Sequence, residues 1–211
     1  VYINRGGRVF GAAQSLSTRG FGHDIVTADV DMDGNVDIII SQSDNHGEYV
    51  LYGRGDGTFT DAYKFSSGST GAIVACDVNG DGAPDIITGD YYSSRGVRLF
   101  LNKGSASSQR SSKLGSAVNI GGTSFQRVYG LACGDVDGDG YEDVLFSEQL
   151  DNKLQLYWGN GSGTFSDQNK LTYSIGRSGA PGTIGDIDND GDNDILWGLQ
   201  DSNTIKVIVN N

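Results

Sequence analysis

Aspartate recurs in this chain in a pattern suited to holding a hard cation. Four stretches read D-x-[DN]-x-D-G-x-x-D, at residues 29–37, 77–85, 135–143 and 186–194. Their starts lie 48, 58 and 51 residues apart. Ca2+ takes about six to eight oxygen ligands at ~2.3–2.6 Å, and short acidic side chains on a tight loop can supply them. Positions 1, 3, 5 and 9 carry the candidate ligands. These are Asp29, Asp31, Asp33 and Asp37 in the first loop, then Asp77, Asn79, Asp81 and Asp85 in the second. The third loop offers Asp135, Asp137, Asp139 and Asp143, and the fourth Asp186, Asp188, Asp190 and Asp194. The backbone carbonyl at position 7 is a further donor, from Asn35, Ala83, Tyr141 and Asp192. Glycine at position 6 permits the sharp reversal. The pattern predicts up to four Ca2+ ions. Mg2+ fits less well, because it keeps its waters and seldom uses an all-protein cage. Without a cation, carboxylates this close repel, so empty loops should be disordered or hold protons. Asn79 removes one charge and should weaken the second site modestly.

The flanking segments decide what kind of loop this is. Small and apolar residues precede each stretch, at 25–28, 72–76, 130–134 and 182–185. Apolar and β-branched residues follow, at 38–40, 86–88, 144–146 and 195–197. A third such run comes at 49–52, 97–101, 154–158 and 205–209, and a fourth begins at Phe59 and Phe165 after a glycine turn. These runs are too short for helices and are bounded by Gly, Asn and Asp, which predicts strands. An EF-hand would need flanking helices and a Glu at position 12. That position holds Ile40, Thr88, Phe146 and Trp197, so an EF-hand is excluded.

Four short strands per ~50 residues describe the blade of a β-propeller. The expected fold is all-β, with four-stranded antiparallel blades and the acidic stretch as the turn between the first two strands. Residues 1–211 read as one domain of four repeats, near 1–57, 58–116, 117–163 and 164–211. Residues 1–4 match a third strand and residues 9–10 open a fourth. The chain also ends on a third strand, so a segment of a larger ring of about seven blades fits better than a closed four-bladed one. The start at Val1 is that of a processed product or an excised piece.

Composition agrees. Gly is 33 of 211 residues and Pro only 2, which favours tight turns between strands over disorder. The net charge is −12, and 15 of the 27 acidic residues are ligand-position aspartates, so the acidity belongs to the loops. No basic patch exists to displace counterions from phosphate, so nucleic acid is not an expected partner. No apolar run reaches the ~18 residues of a membrane span.

The strand–DxDxDGxxD–strand unit, followed by Gly-x-Gly-(Asp)-Gly-Thr-Phe, resembles the FG-GAP/VCBS repeat family. That family includes the integrin α-subunit propeller, certain fungal lectins, and propeller domains of secreted polysaccharide-active enzymes. The resemblance spans essentially the whole chain and implies calcium in the acidic loops and an extracellular or cell-surface setting. It does not fix a ligand.

Weaker signals remain. Arg54-Gly55-Asp56 spells an integrin-recognition tripeptide but lies in a turn whose counterpart reads Asn160-Gly161-Ser162-Gly163. Asn160 opens the one N-glycosylation sequon. The loops opposite the acidic face hold Tyr91, Tyr92 and Arg95, candidates for stacking on a sugar. Trp158 and Trp197 are better read as packing residues. The Ser-rich stretch 103–116 predicts a surface loop. Cys76 and Cys133 lie on the first strands of neighbouring repeats. Packed sheets sit ~10 Å apart and a disulfide needs Cα atoms within ~7 Å, which predicts two buried thiols, with a bond as the alternative. His23 and His46 are the only histidines, and no nucleophile–base set appears, so no catalytic residues are assigned. The expected function is a calcium-binding, non-enzymatic recognition or adhesion module for glycan or extracellular protein. The alternatives are the non-catalytic propeller of a secreted polysaccharide-active enzyme, or a surface protein that self-assembles through open blade edges.

Overall fold

The computed structural model describes all residues except 19, 44–45, 92–94, 105–112, 123–126, 176–181 and 200–202. The described residues form four antiparallel sheets and no α-helix. The first blade comprises β1 (Gly22–Ala28), β2 (Asp37–Gln42), β3 (Gly47–Leu51) and β4 (Tyr63–Ser66) in sequential order. The second is β5 (Thr70–Cys76), β6 (Asp85–Asp90), β7 (Val97–Phe100) and β8 (Val118–Ile120). The third is β9 (Val128–Gly134), β10 (Asp143–Glu148), β11 (Lys153–Tyr157) and β12 (Lys170–Ser174). The fourth has three strands, β13 (Gly182–Gly185), β14 (Asp194–Leu199) and β15 (Thr204–Ile208). Residues 1–14 form an irregular hairpin bridged at Asn4 and Phe10. No long apolar helix that could cross a membrane occurs among the described residues.

Side chains alternate across a strand, so a strand buried on both faces reads as continuous apolar sequence. The second strands show this: Ile86 joins the cluster with Ile39 and Val50 of the first blade, and Ile87 the cluster with Val144 and Phe146 of the third. Three core clusters therefore lie in the seams between blades, and a fourth, Ile38, Ile40 and Leu51, packs on the other face of the first blade against Leu16 and Phe59. The innermost strands pack in series, β1 on β5, β5 on β9 and β9 on β13. The ring is not closed. Leu154 and Leu156 of β11 are each 1% exposed beneath the fourth blade, whereas their counterparts on β15, Ile205 and Val207, are 74% and 43% exposed.

Each seam also carries a polar or covalent latch on the acidic-loop side. Asn102, just beyond β7, donates to Val30 O of the first blade at 2.8 Å, and Asn210, just beyond β15, donates to Val136 O of the third at 2.6 Å. The corresponding residue of the third blade is Gly159, which cannot reach across. There a disulfide joins Cys76 to Cys133. The expectation of two free, buried thiols is thus corrected: the cysteines are bonded and only partly buried, with Cα atoms 6.6 Å apart. The ~10 Å spacing describes sheets stacked face to face, whereas innermost strands converge toward the axis. At the opposite end of the first seam, buried Arg98 pairs with Glu48 at 2.6 Å, and Thr70 also donates to Glu48. Trp197 is core, at 4% exposure, and Trp158 packs against the same cluster.

Two variants test these latches. Replacing Cys76 and Cys133 together by Ser should cost about 2–4 kcal/mol in denaturant unfolding, matched by reducing the wild type. Asn102→Ala leaves Val30 O and Pro84 O without a donor and should cost about 1–3 kcal/mol in the same assay.

Candidate functional site

The acidic loops all join the first strand of a blade to the second, so all four lie at one end of the arc. Their conformation is built from aspartate–amide bonds. In the first loop, Asp29 accepts from Asp33 N and Gly34 N at 3.0 and 2.8 Å. Asp135 accepts from Gly140 N at 2.9 Å, and Asp186 from Gly191 N at 3.2 Å. Asp33, Asp81, Asp139 and Asp190 accept the amide of position 7 at 2.9–3.0 Å. The position-6 glycines have φ between 83° and 101°, the left-handed region expected of them. Position 4 is left-handed too, and in the first loop it is occupied by Met32 at φ 59°.

Position 9 has a role that ligand spacing did not reveal. Asp37, Asp85, Asp143 and Asp194 are all 0% exposed. One oxygen of each accepts the amide of position 2, from Val30, Val78, Val136 and Ile187, at 2.8–3.1 Å. The other accepts an amide from beyond the third strand, from Gly53, Asn102, Gly159 and Asn210, at 2.7–2.8 Å. This aspartate rivets the loop to its own blade as well as facing the other acids.

Three loops bring carboxylate oxygens within 4.8 Å of one another: Asp29, Asp31 and Asp33; Asp135, Asp137 and Asp143; Asp186, Asp188 and Asp194. In the second loop no such trio of acids forms. Asn79 occupies position 3 there, and its amide donates to Asp81 at 3.1 Å while its Oδ1 accepts from Asp81 N. These oxygen-only sets suit a hard divalent cation. Burial, with like charges adding to it, pushes Asp85 and Asp143 up to about 6, against the opposing pull of their amide bonds. Asp37, Asp137 and Asp188 are raised as well, burial again leading and neighbouring aspartates contributing.

Other sequence candidates fall elsewhere. Arg54 donates to Phe59 O at 2.7 Å, and Asp56 accepts from Thr58 N and Oγ1 at 2.8 and 2.6 Å, so both ends of the tripeptide are tied into their own turn. Asn160 Oδ1 accepts from Ser162 N and Oγ on the exposed turn after β11. Arg95 is exposed and donates to Ser67 O across the first seam. Tyr92 lies outside the described residues, as do residues 105–112 of the Ser-rich stretch. Tyr91 lies beside residues that sequence reasoning did not assign: the ring of Tyr129, the guanidinium of Arg127 and the imidazole of His23. His23 and Tyr129 share a signal that spacing alone carried, since each precedes the first aspartate of its loop by six residues.

A sequence model described as an FG-GAP-like repeat matches residues 29–88, 77–146 and 135–197, so the chain belongs to this family of propeller repeats. No curated protein matches. Among solved structures, one concerns specific recognition of non-reducing terminal N-acetylglucosamine by an Agrocybe aegerita lectin. It superposes with a TM-score of 0.54 at 22% identity, covering 83% of this chain and 47% of that one. Another, BBS1N in complex with ARL6DN, superposes with a TM-score of 0.54 at 9% identity, covering 92% of this chain and 57% of that one. At these identities the likeness shows the fold. The chain spans about half the length of the structures it resembles.

The buried aspartates give a signed pH dependence. Asp85 and Asp143 hold protons in the folded chain up to about 6, but ionise near 3.8 when unfolded. Folding therefore draws on these protons fully below about pH 4 and loses that contribution as pH rises through about 6. Thermal melts in chelator should fall between about pH 4 and about pH 7, and excess Ca2+ should abolish the fall by replacing the protons. A chelated melt that rises over this range would contradict the assignment.

Proposed function

We propose that this chain is a calcium-stabilised, non-catalytic recognition module that binds glycan through the end opposite its acidic loops, in an extracellular or cell-surface setting. The observation that carries the reading is the clustering of three carboxylates within 4.8 Å in three separate loops. Such clusters need protons or cations to be stable, and at neutral pH a divalent cation is the better neutraliser. Calcium here fixes turns rather than activating a substrate: it would be held by Asp29, Asp31 and Asp33 in the first loop and by positions 1, 3 and 9 in the third and fourth, where the position-9 carboxylate also accepts its two amides. The second loop is the weakest site.

The Cys76–Cys133 bond supports an oxidising compartment. The glycan part of the reading is supported by the fold shared with the Agrocybe aegerita lectin and by aromatic side chains at the end away from the charge. Carboxylates engaged by a cation and by backbone amides are poorly placed for general acid–base work, which supports a module without turnover.

Two measurements test this. Chelation at neutral pH should lower the melting temperature by about 10 °C or more, since saturating ligand at several sites contributes several kcal/mol, and Asp137→Asn should lessen the gap between calcium and chelator. An unchanged melt defeats the calcium reading. A glycan array should give binding with no degradation products; silence across the array defeats the glycan reading, and turnover defeats the non-catalytic one.

A further inference from the structure

The three complete blades share an irregularity at one register. In β1 the pairing with β2 skips His23, in β5 the pairing with β6 skips Gly71, and in β9 the pairing with β10 skips Tyr129. Each skipped residue lies six positions before the first aspartate of its loop. The same bulge thus recurs in three successive innermost strands, at the end opposite the acidic loops. A bulge leaves one residue unpaired and can re-aim its side chain, and bulges are over-represented at sheet edges and next to active sites.

The middle position has no side chain, and Tyr91 fills its place. A Cβ on Gly71 would lie 3.0 Å from Tyr91 Cβ and 2.7 Å from Val128 O, so only glycine lets the tyrosine lie over the strand. A continuous row results. His23 and Tyr91 are 6.0 Å apart at 33°, and Tyr91 and Tyr129 are 4.5 Å apart at 73° with their hydroxyls hydrogen-bonded at 2.5 Å. Arg127 stands over Tyr91 with its guanidinium carbon 6.0 Å from the ring centre. Its backbone is left-handed at φ 58°, an uncommon conformation for arginine, and its carbonyl accepts Gln149 N at 3.2 Å. Arg127 and His23 are exposed and the tyrosines half-buried. At the His23 end the row opens on a cleft of about 250 Å3 bordered by Thr18, Asp24, Ile25 and Ile40, with the Asp24 carboxylate accepting Ile25 N and Ile73 N at 2.8 and 3.1 Å.

We propose that this bulge-borne row, His23–Tyr91–Tyr129 with Arg127 above it, is a binding site for a pyranose that carries a carboxylate. The aromatic faces pack against the sugar's C–H face, and the guanidinium takes the carboxylate in a two-point hydrogen bond. Fifteen of the 27 acidic residues are ligand-position aspartates of the acidic loops. The acidic loops lie at the far end of each blade, which leaves a local cation free to select the anion. The inference rests on the glycan-recognition reading and adds to it the site and the sugar class.

The test is calorimetric titration of the calcium-loaded chain with two acidic sugars, 3′-sialyllactose and a glucuronate-terminated disaccharide, and with their neutral counterparts, lactose and cellobiose. At least one acidic sugar should bind tenfold or more tightly than its neutral counterpart. Arg127→Gln should erase that preference, Tyr91→Ala should remove binding altogether, and Tyr91→Phe, which keeps the ring and the packing, should retain it. Arg127→Gln and Tyr91→Phe should melt with the wild type, so a loss in Tyr91→Ala by misfolding leaves the proposal testable through them. Equal affinity for acidic and neutral sugars, or a preference untouched by Arg127→Gln, overturns the site while glycan recognition stands. Silence for these sugars together with silence on the array overturns both.

Discussion

One buried carboxylate per blade governs the acidic end of the molecule. Asp37, Asp85, Asp143 and Asp194 have no exposed surface, and each receives two backbone amides, one from its own loop and one from beyond the third strand. Those bonds set the loop's entry and fasten it to the far side of the blade. They do not fully replace the water a carboxylate loses on burial, so burial still raises the pKa of Asp37, Asp85 and Asp143. The loops are therefore short of neutralising charge, which is the physical basis of the calcium proposed for them. The clustering of ligand-position oxygens follows from this anchoring, because position 9 fixes where positions 1 and 3 can turn.

The seams between blades are built differently from the blades. Within a blade, ladder hydrogen bonds and local turns suffice. Between blades, apolar side chains of alternating parity meet, and side-chain latches set the approach. Asn102 and Asn210 serve two seams, and the disulfide serves the seam where Gly159 offers no side chain. The uncovered Ile205 and Val207 show the same pattern left without a partner surface, as an unclosed ring requires.

The two ends of the arc divide the chemistry. The acidic end is occupied by its own hydrogen bonds, with the tripeptide Arg54-Gly55-Asp56 folded into its turn. The other end carries repeated bulges, aromatic rings and an arginine in a left-handed backbone conformation. Regular structure gives way at one register of three innermost strands, where the ladder skips His23, Gly71 and Tyr129.

The acidic pattern, its spacing and the flanking apolar runs determined the blades, their four-fold repetition and the family, because ligand spacing, turn glycines and strand periodicity are all local. That these four repeats leave the ring open was legible too, in a first and a last segment that both read as third strands. Three matters were decided only in three dimensions. Whether Cys76 meets Cys133 depended on how closely innermost strands converge, which a face-to-face sheet spacing misjudges. The second duty of the position-9 aspartate depended on amides up to 17 residues away along the chain. The row of His23, Tyr91, Tyr129 and Arg127 draws on three blades, and its middle member stands in for a glycine. No one-dimensional pattern encodes that substitution, because the space above Gly71 exists only once β5, β6 and β9 have packed.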